Sequence, residues 1–148
     1  MSRAALSCVA VVAGLAVLGA VTTGCGKRVE QEPTPVQSQW HIRNADQSHI
    51  SHAIELGLPM VIKFGWDKCA PCREMEPVLD RLAEYYGGKV LVLTIDVYRQ
   101  PVLAAKYGVQ LIPKIVFARA DGSVADYVEG YSSFEEMKSL VEASGIRK

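Results

Sequence analysis

The fold is decided by one stretch, VIKFGWDKCAPCREMEP, which covers residues 61–77. It continues an apolar run at residues 60–64 whose Val, Ile and Phe predict a buried strand. A short polar turn leads to Cys69 and Cys72. From Met75 onward, apolar residues recur at spacings of three and four, which predicts a helix. The two cysteines therefore lie where a strand ends and a helix begins.

This position favours redox chemistry. Pro71 fits the first turn of a helix, because its missing N–H would have no partner there. Cys69, at or just before that turn, lies close to unpaired backbone N–H groups and to the positive end of the helix dipole, which favour a thiolate. Cys72 follows one helical turn later, near enough to form a disulfide with Cys69. The pattern predicts a redox-active pair.

The stretch resembles the active site of the thioredoxin family, and the resemblance extends from about Ser48 to the C-terminus. Cys-Ala-Pro-Cys differs from the commonest thioredoxin sequence, Cys-Gly-Pro-Cys, only at Ala70. Pro77 falls where thioredoxins kink this helix. Ile112 and Pro113 are similar to the segment that carries the family's cis-proline, packed against the disulfide. The resemblance implies an α/β thioredoxin fold, with a central mixed β-sheet flanked by helices.

The resemblance also implies a function, that of a thiol–disulfide oxidoreductase with no cofactor beyond the Cys69–Cys72 disulfide. Cys69 would attack as a thiolate and form a mixed disulfide with a substrate protein, which Cys72 would resolve. Pro113 would shape the groove that receives the substrate chain. Its expected companions in substrate binding are Trp66, Ala70, Pro71 and Ile112.

Several positions near the pair depart from the family's pattern. Lys68 stands where thioredoxins commonly have Trp, and Lys114 where they usually have Thr after the cis-proline. Gly65 stands at a position that often holds Trp. Lys63 replaces the acid that thioredoxins bury behind the second cysteine. A buried Lys63 needs a partner or loses its proton, and as a cation it would raise the reduction potential above that of thioredoxin. Lys68 and Lys114 either share these surroundings or are solvated rim residues.

Residues 1–24 have the pattern of a secretory signal. Arg3 is the only early cation, residues 4–21 carry no charge, and small residues lead to Cys25. This end resembles a bacterial lipobox, in which the cysteine is lipidated and becomes the mature N-terminus, although Thr22 stands where Leu is usual. An uncleaved signal anchor is the alternative, because the apolar segment is about as long as the shortest membrane spans. Both interpretations predict export to a bacterial cell envelope, facing the periplasm and tethered to a membrane.

The remaining sequence divides into a tether and one domain. Residues 25–39 are rich in proline, glutamine and charge, which predicts a flexible segment. Residues 40–148 predict a single thioredoxin-like domain. Its expected elements include an edge strand at residues 40–43 and a hairpin that turns at Asp121-Gly122.

Composition argues against some partners. Basic and acidic residues number 16 each without a basic cluster, so nucleic acid is not expected. Cys8 would leave with a cleaved signal and Cys25 would carry lipid, so the domain keeps only the redox pair. His41, His49 and His52 could bind a metal, but no carboxylate or cysteine accompanies them at motif spacing. We therefore expect them on a solvated surface and predict no metal site. The expected partners of this predicted monomer are protein thiols and disulfides, a redox partner protein and the membrane.

The alternative function is a tethered thioredoxin-fold module that holds a client or delivers a metal such as copper, without catalytic turnover. A methionine or histidine close to the cysteines would favour it, whereas Met75 is expected to face the core. A zinc site would need a second ligand pair, which the sequence lacks. Glu74 and Glu76 suit a helix N-terminus electrostatically and are assigned no chemistry.

Overall fold

The computed structural model describes residues 38–146. The signal or anchor at residues 1–24, the lipidation site Cys25 and most of the tether lie outside the described residues. Within the described part, no helix has the length and apolar character needed to cross a membrane. Ser38, the first described residue, is buried.

Residues 38–146 form five strands and four helices. In chain order they are β1 His41–Ile42, α1 Gln47–Glu55, β2 Met60–Gly65, α2 Ala70–Tyr86, β3 Leu91–Asp96, α3 Pro101–Lys106, β4 Lys114–Ala118, β5 Val124–Glu129 and α4 Phe134–Ala143. The edge strand and the hairpin expected from the sequence are both present.

The strands form one mixed sheet in the order β1-β3-β2-β4-β5. The neighbours β1, β3 and β2 are parallel, whereas β4 and β5 join as antiparallel strands. Every residue of the central strand β2 is buried, because helices cover both faces of the sheet. The predicted α/β fold, a mixed sheet flanked by helices, is confirmed.

Two apolar cores lie on opposite faces of this sheet. On the α2 face, α2 and α4 pack on the sheet through side chains such as Leu79, Leu82 and Met137. On the α1 face, α1 and α3 pack on it through Ile50 and Leu103. Successive strand residues alternate between these faces, so each position on β2 and β4 belongs to one core or the other.

Candidate active site

The two cysteines lie at the start of α2, as the sequence predicts. Cys69 is the N-cap residue, and Cys72 lies in the first turn. They form a disulfide with their Cα atoms 5.2 Å apart, which is within the usual range. Cys69 is half-buried, whereas Cys72 is 1% exposed. Among the described side chains none caps this end of α2, so its free N–H groups and dipole face the first cysteine.

The residues around Cys69 form an open rim. Ala70 and Pro71 are exposed, and Pro71 lies in the first turn of α2 as expected. The ring of Trp66 packs against that of Tyr98 with their centroids 4.7 Å apart. Lys68 is exposed, and its Nζ lies 5.5 Å from the centroid of the Trp66 ring. The structure therefore brings an aromatic pair and a solvated lysine to this rim.

The Ile112–Pro113 peptide bond is cis, as the resemblance to thioredoxins implied. Pro113 is buried and Ile112 is half-buried. Pro113 lies one residue beyond the paired positions Phe64 and Lys114. It therefore lies at the end of the sheet where β2 leads toward the cysteines.

Lys63 lies behind Cys72, and its partner is Glu76. The Lys63 side chain is 3% exposed. Its Nζ donates to the carbonyl oxygen of Cys72 at 3.1 Å and forms an ion pair with the Glu76 carboxylate. The sequence indicated that a buried Lys63 needs a partner, but the interpretation that gave Glu76 no chemistry missed this contact. The available signal was spacing, because positions 72 and 76 lie on the same side of a helix.

The ion pair continues into a partly buried charge network of five residues, namely Lys63, Glu76, Arg43, Asp80 and His41. Arg43 donates from Nε to Glu76 at 2.9 Å and from Nη2 to Asp80 at 2.6 Å. His41 lies 2.8 Å from Asp80 through Nδ1. The edge strand β1 and the residue after it supply the His and Arg, and α2 supplies both acids.

Burial and neighbouring charges together determine the protonation states of His41 and Glu76 in this network. Burial lowers the pKa of His41, although the hydrogen bond that its ring donates to Asp80 acts to raise it. A neutral His41 has one N–H, and the Asp80 carboxylate can only accept a hydrogen bond. We therefore assign the proton to Nδ1, which faces Asp80. The other ring nitrogen, Nε2, accepts from the Thr94 hydroxyl at 2.8 Å. Burial acts to raise the pKa of Glu76, but the charge and hydrogen bond of Lys63 help to bring it below its usual value. Glu76 is therefore a carboxylate at neutral pH.

Gly65 leaves the space that Lys63 and Cys72 occupy. A Cβ at this position would lie 3.1 Å from Cε of Lys63 and 3.3 Å from Sγ of Cys72, which is tighter than ordinary contact. A cavity of about 260 Å³ opens here, and Trp66 and Glu76 contribute to its lining together with Lys63, Gly65 and Cys72. Solvent can therefore approach the ion pair from one side.

Lys114 is buried on the α1 face of the sheet. Its side chain belongs to the α1 face, where Nζ donates to the carbonyl oxygen of Gly108 at 3.0 Å and lies 4.1 Å from the centroid of the Tyr127 ring. It is 7% exposed, so the interpretation as a solvated rim residue is wrong. It lies on the opposite face of the sheet from Lys63, because successive strand positions alternate between the two faces.

The three histidines do not come together. His41 belongs to the partly buried charge network, His49 lies in the capping box of α1 with Asp46, and His52 is exposed. The solvated surface expected for His41 is therefore a wrong prediction. Within residues 38–146, no group of three or more His, Cys, Asp or Glu side chains could hold a metal ion. Met75 faces the core, where its sulfur accepts from the Ser132 N–H at 3.3 Å.

Comparison with known proteins agrees with this geometry. The Thioredoxin family model matches residues 43–143. A thioredoxin from Staphylococcus epidermidis is 36% identical over 95 residues, which cover 64% of this chain and 89% of the relative. A thioredoxin from Pyropia yezoensis is 35% identical over 85 residues, or 57% of this chain and 78% of the relative.

A solved structure gives the same answer. A mutant thioredoxin from Halobacterium salinarum NRC-1 superposes with a TM-score of 0.64 at 29% identity, covering 73% of this chain and 92% of that one. Thioredoxins use a disulfide of their own chain as the redox group and need no cofactor, and Cys69 and Cys72 form such a disulfide here. This chain belongs to the thioredoxin family and is a thiol–disulfide oxidoreductase.

Proposed function

We propose that this oxidoreductase acts on protein dithiols and disulfides outside the cytoplasm, tethered to a bacterial membrane by its N-terminus. The signal-like residues 1–24, Cys25 and the polar segment up to residue 39 support export and tethering. One observation carries the reaction: Cys69 is accessible at the N-terminal end of α2, while Cys72 is 1% exposed.

The reaction is two successive thiol–disulfide exchanges. The Cys69 thiolate attacks a substrate disulfide, forms a mixed disulfide and releases one substrate sulfur as a thiolate. Cys72 then attacks the Cys69 sulfur, which forms the Cys69–Cys72 disulfide and releases the second substrate thiolate. Two electrons pass from the pair to the substrate. Cys72 gives up its proton to solvent as it attacks, and the released thiolates take up protons from solvent. The same steps in reverse oxidise a substrate dithiol.

The rim around Cys69 suits a protein substrate. Tyr98 packs on Trp66 and is 66% exposed, and Leu111, which directly precedes Ile112 and Pro113, is 64% exposed. Pro113 has no N–H to donate to a neighbouring chain. Exposed apolar side chains on these two segments suit transient docking of an unfolded or flexible segment.

Alkylation of the reduced chain tests the assignment of roles. At neutral pH and limiting iodoacetamide, we expect label on Cys69 well before Cys72, because only Cys69 combines access with the helix N-terminus. Trypsin cleaves after Lys68 and Arg73, so one short peptide carries both cysteines, and its fragmentation identifies the labelled sulfur. Equal labelling, or faster labelling of Cys72, contradicts the assignment.

Trapping tests the substrate class. Cys72→Ala removes the resolving thiol, so mixed disulfides with exported proteins should accumulate on Cys69 in the native host. Cys69→Ala is the matched control, because the buried Cys72 should trap far less. Equal trapping by both variants, or only cytoplasmic proteins on Cys69, contradicts the proposal.

The mass of the mature N-terminus tests tethering. If Cys25 is lipidated, the mature chain begins there and carries acyl chains, and Cys25→Ala leaves an uncleaved precursor. Cys8→Ala is the control, because it changes a cysteine inside the signal without removing the lipidation site. A wild-type chain that retains residues 1–24 in the membrane supports the signal anchor instead. A chain recovered only from the cytoplasm contradicts both forms of the proposal.

A further inference from the structure

The Lys63–Glu76 ion pair lies directly behind the buried cysteine. Lys63 Nζ contacts both the Cys72 carbonyl oxygen and the Glu76 carboxylate. The side chain of Lys63 is 3% exposed and that of Glu76 26% exposed. Because residue 65 is glycine, the end of the lysine stem and the Cys72 sulfur border the same small space. A charge on Lys63 therefore lies close to this sulfur, beside the cavity that both residues line.

The positive and negative charges of the partly buried charge network are equal in number. Arg43 bonds to both Glu76 and Asp80, so each carboxylate faces a cation. Burial lowers the pKa of His41, which leaves its ring neutral at neutral pH. Two cations then face two carboxylates. Loss of Glu76 leaves an excess positive charge beside Cys72, and loss of Lys63 leaves an excess negative charge.

We propose that Glu76 is a positioning residue for the redox pair: it holds Lys63 against Cys72 and offsets the lysine's charge, so that the ion pair sets the thiol–disulfide equilibrium. The inference rests on the proposed exchange chemistry of Cys69 and Cys72 and extends it to a residue outside the Cys-x-x-Cys motif. Reduction takes up two electrons and converts the disulfide to two thiols or thiolates. A nearby positive charge favours the thiolate, and with it the reduced form, whereas a negative charge favours the disulfide.

Neutralising the two partners one at a time should shift the equilibrium in opposite directions. Glu76→Gln leaves Lys63 uncompensated and should favour the dithiol by about tenfold, equivalent to roughly 30 mV. Lys63→Met leaves Glu76 without its closest cation and should favour the disulfide, by about threefold because Arg43 still bonds to the carboxylate. The double variant keeps a balanced Arg43–Asp80 pair and should fall within about twofold of wild type.

The experiment is equilibration of the full-length chain, in mild detergent, with glutathione buffers of graded ratio. Acid quenching and alkylation fix the populations, and the tryptic peptide of residues 69–73 reports Cys69 and Cys72 separately from Cys8 and Cys25. Glu74→Gln is the matched control, because it removes the same charge from an exposed position on the same helix. We expect Glu74→Gln to change the equilibrium constant by less than about twofold, since water screens exposed charges.

The signs decide the outcome. Opposite shifts in the single variants and a near-wild-type double variant support the proposal, because a merely structural role predicts no reversal of sign. Shifts in the same direction, no shift in Glu76→Gln, or an equal shift in Glu74→Gln overturn it. If circular dichroism shows that Glu76→Gln does not fold, Lys63→Met and the double variant decide. Lys63→Met must then favour the disulfide, and the double variant must return toward the wild-type equilibrium. Any other result overturns the proposal. These constants need no protein substrate, so a failure of trapping and a failure of this inference are distinguishable.

Discussion

Each face of the sheet buries one lysine, and the two lysines have different partners. On the α2 face, Lys63 is 3% exposed and pairs with Glu76 behind the disulfide. On the α1 face, Lys114 is 7% exposed and is held by the Gly108 carbonyl and the Tyr127 ring, with Glu129 at 3.8 Å. The two residues lie on adjacent strands near the same end of the sheet. Their side chains nevertheless enter separate environments.

The difference bears on which lysine we propose to be coupled to the chemistry. Lys63 belongs to a network of full charges and donates to the Cys72 carbonyl oxygen, so we expect its charge and that of Glu76 to act on the Cys72 sulfur. Lys114 is held by a carbonyl dipole, an aromatic ring face and a more distant carboxylate, and none of these groups belongs to the redox pair. The face of the sheet on which a lysine lies is therefore a better guide to its effect on the disulfide than its closeness to Pro113 along the chain.

The largest expected difference between the faces is in stability. Glu76→Ala leaves Lys63 buried without its carboxylate and should lower the free energy of unfolding by about 3 kcal/mol. The corresponding change on the α1 face, Glu129→Ala, should cost less than about 1 kcal/mol, because that pair is longer and its acid is one-third exposed. Urea unfolding of the oxidised proteins at pH 7 measures both. Equal costs would remove the distinction between the two lysines.

The sequence predicted the elements and the redox pair because those signals are local. Apolar periodicity, the glycines and prolines and the Cys-x-x-Cys spacing act over a few residues. It also indicated that Lys63 needs a partner. It did not predict which partner, because Arg43, Glu76 and Asp80 are joined only when β1 docks beside β3 and α2 crosses the sheet. Lys114 was misplaced for a related reason, since its face depends on the register of β4 against β2.

A smaller effect should appear in the pH dependence of stability. The pKa of His41 is lowered by burial from its usual 6.5, against the opposing contributions of Asp80 and Glu76. Below pH 6.5 the unfolded chain therefore binds more protons at this residue than the folded chain does. Stability should be full above about pH 6.5 and fall as the pH drops toward the folded pKa. Glu76, whose pKa is also lowered, should contribute its own loss only below about pH 4.5.

Substitution of His41 isolates the first window. His41→Gln retains a donor toward Asp80 but cannot titrate, so urea midpoints should change less between pH 7 and pH 5 than in wild type. His52→Gln is the control, because this exposed histidine lies outside the network. If His41→Gln keeps the full wild-type slope, the ring does not account for the loss of stability in this range.

The smallest expected effect is that of Lys114 on the redox equilibrium. Lys114→Met removes a charge from the α1 face, where Glu129, the Tyr127 ring and the Gly108 carbonyl surround it. We expect the equilibrium constant with glutathione to change by less than about twofold, because these groups offset the charge and the side chain lies on the opposite face of the sheet from α2, which carries Cys72. Lys63→Met, measured in the same buffers, should exceed this shift. A Lys114→Met shift as large as that of Lys63→Met would mean that the disulfide responds to both faces of the sheet.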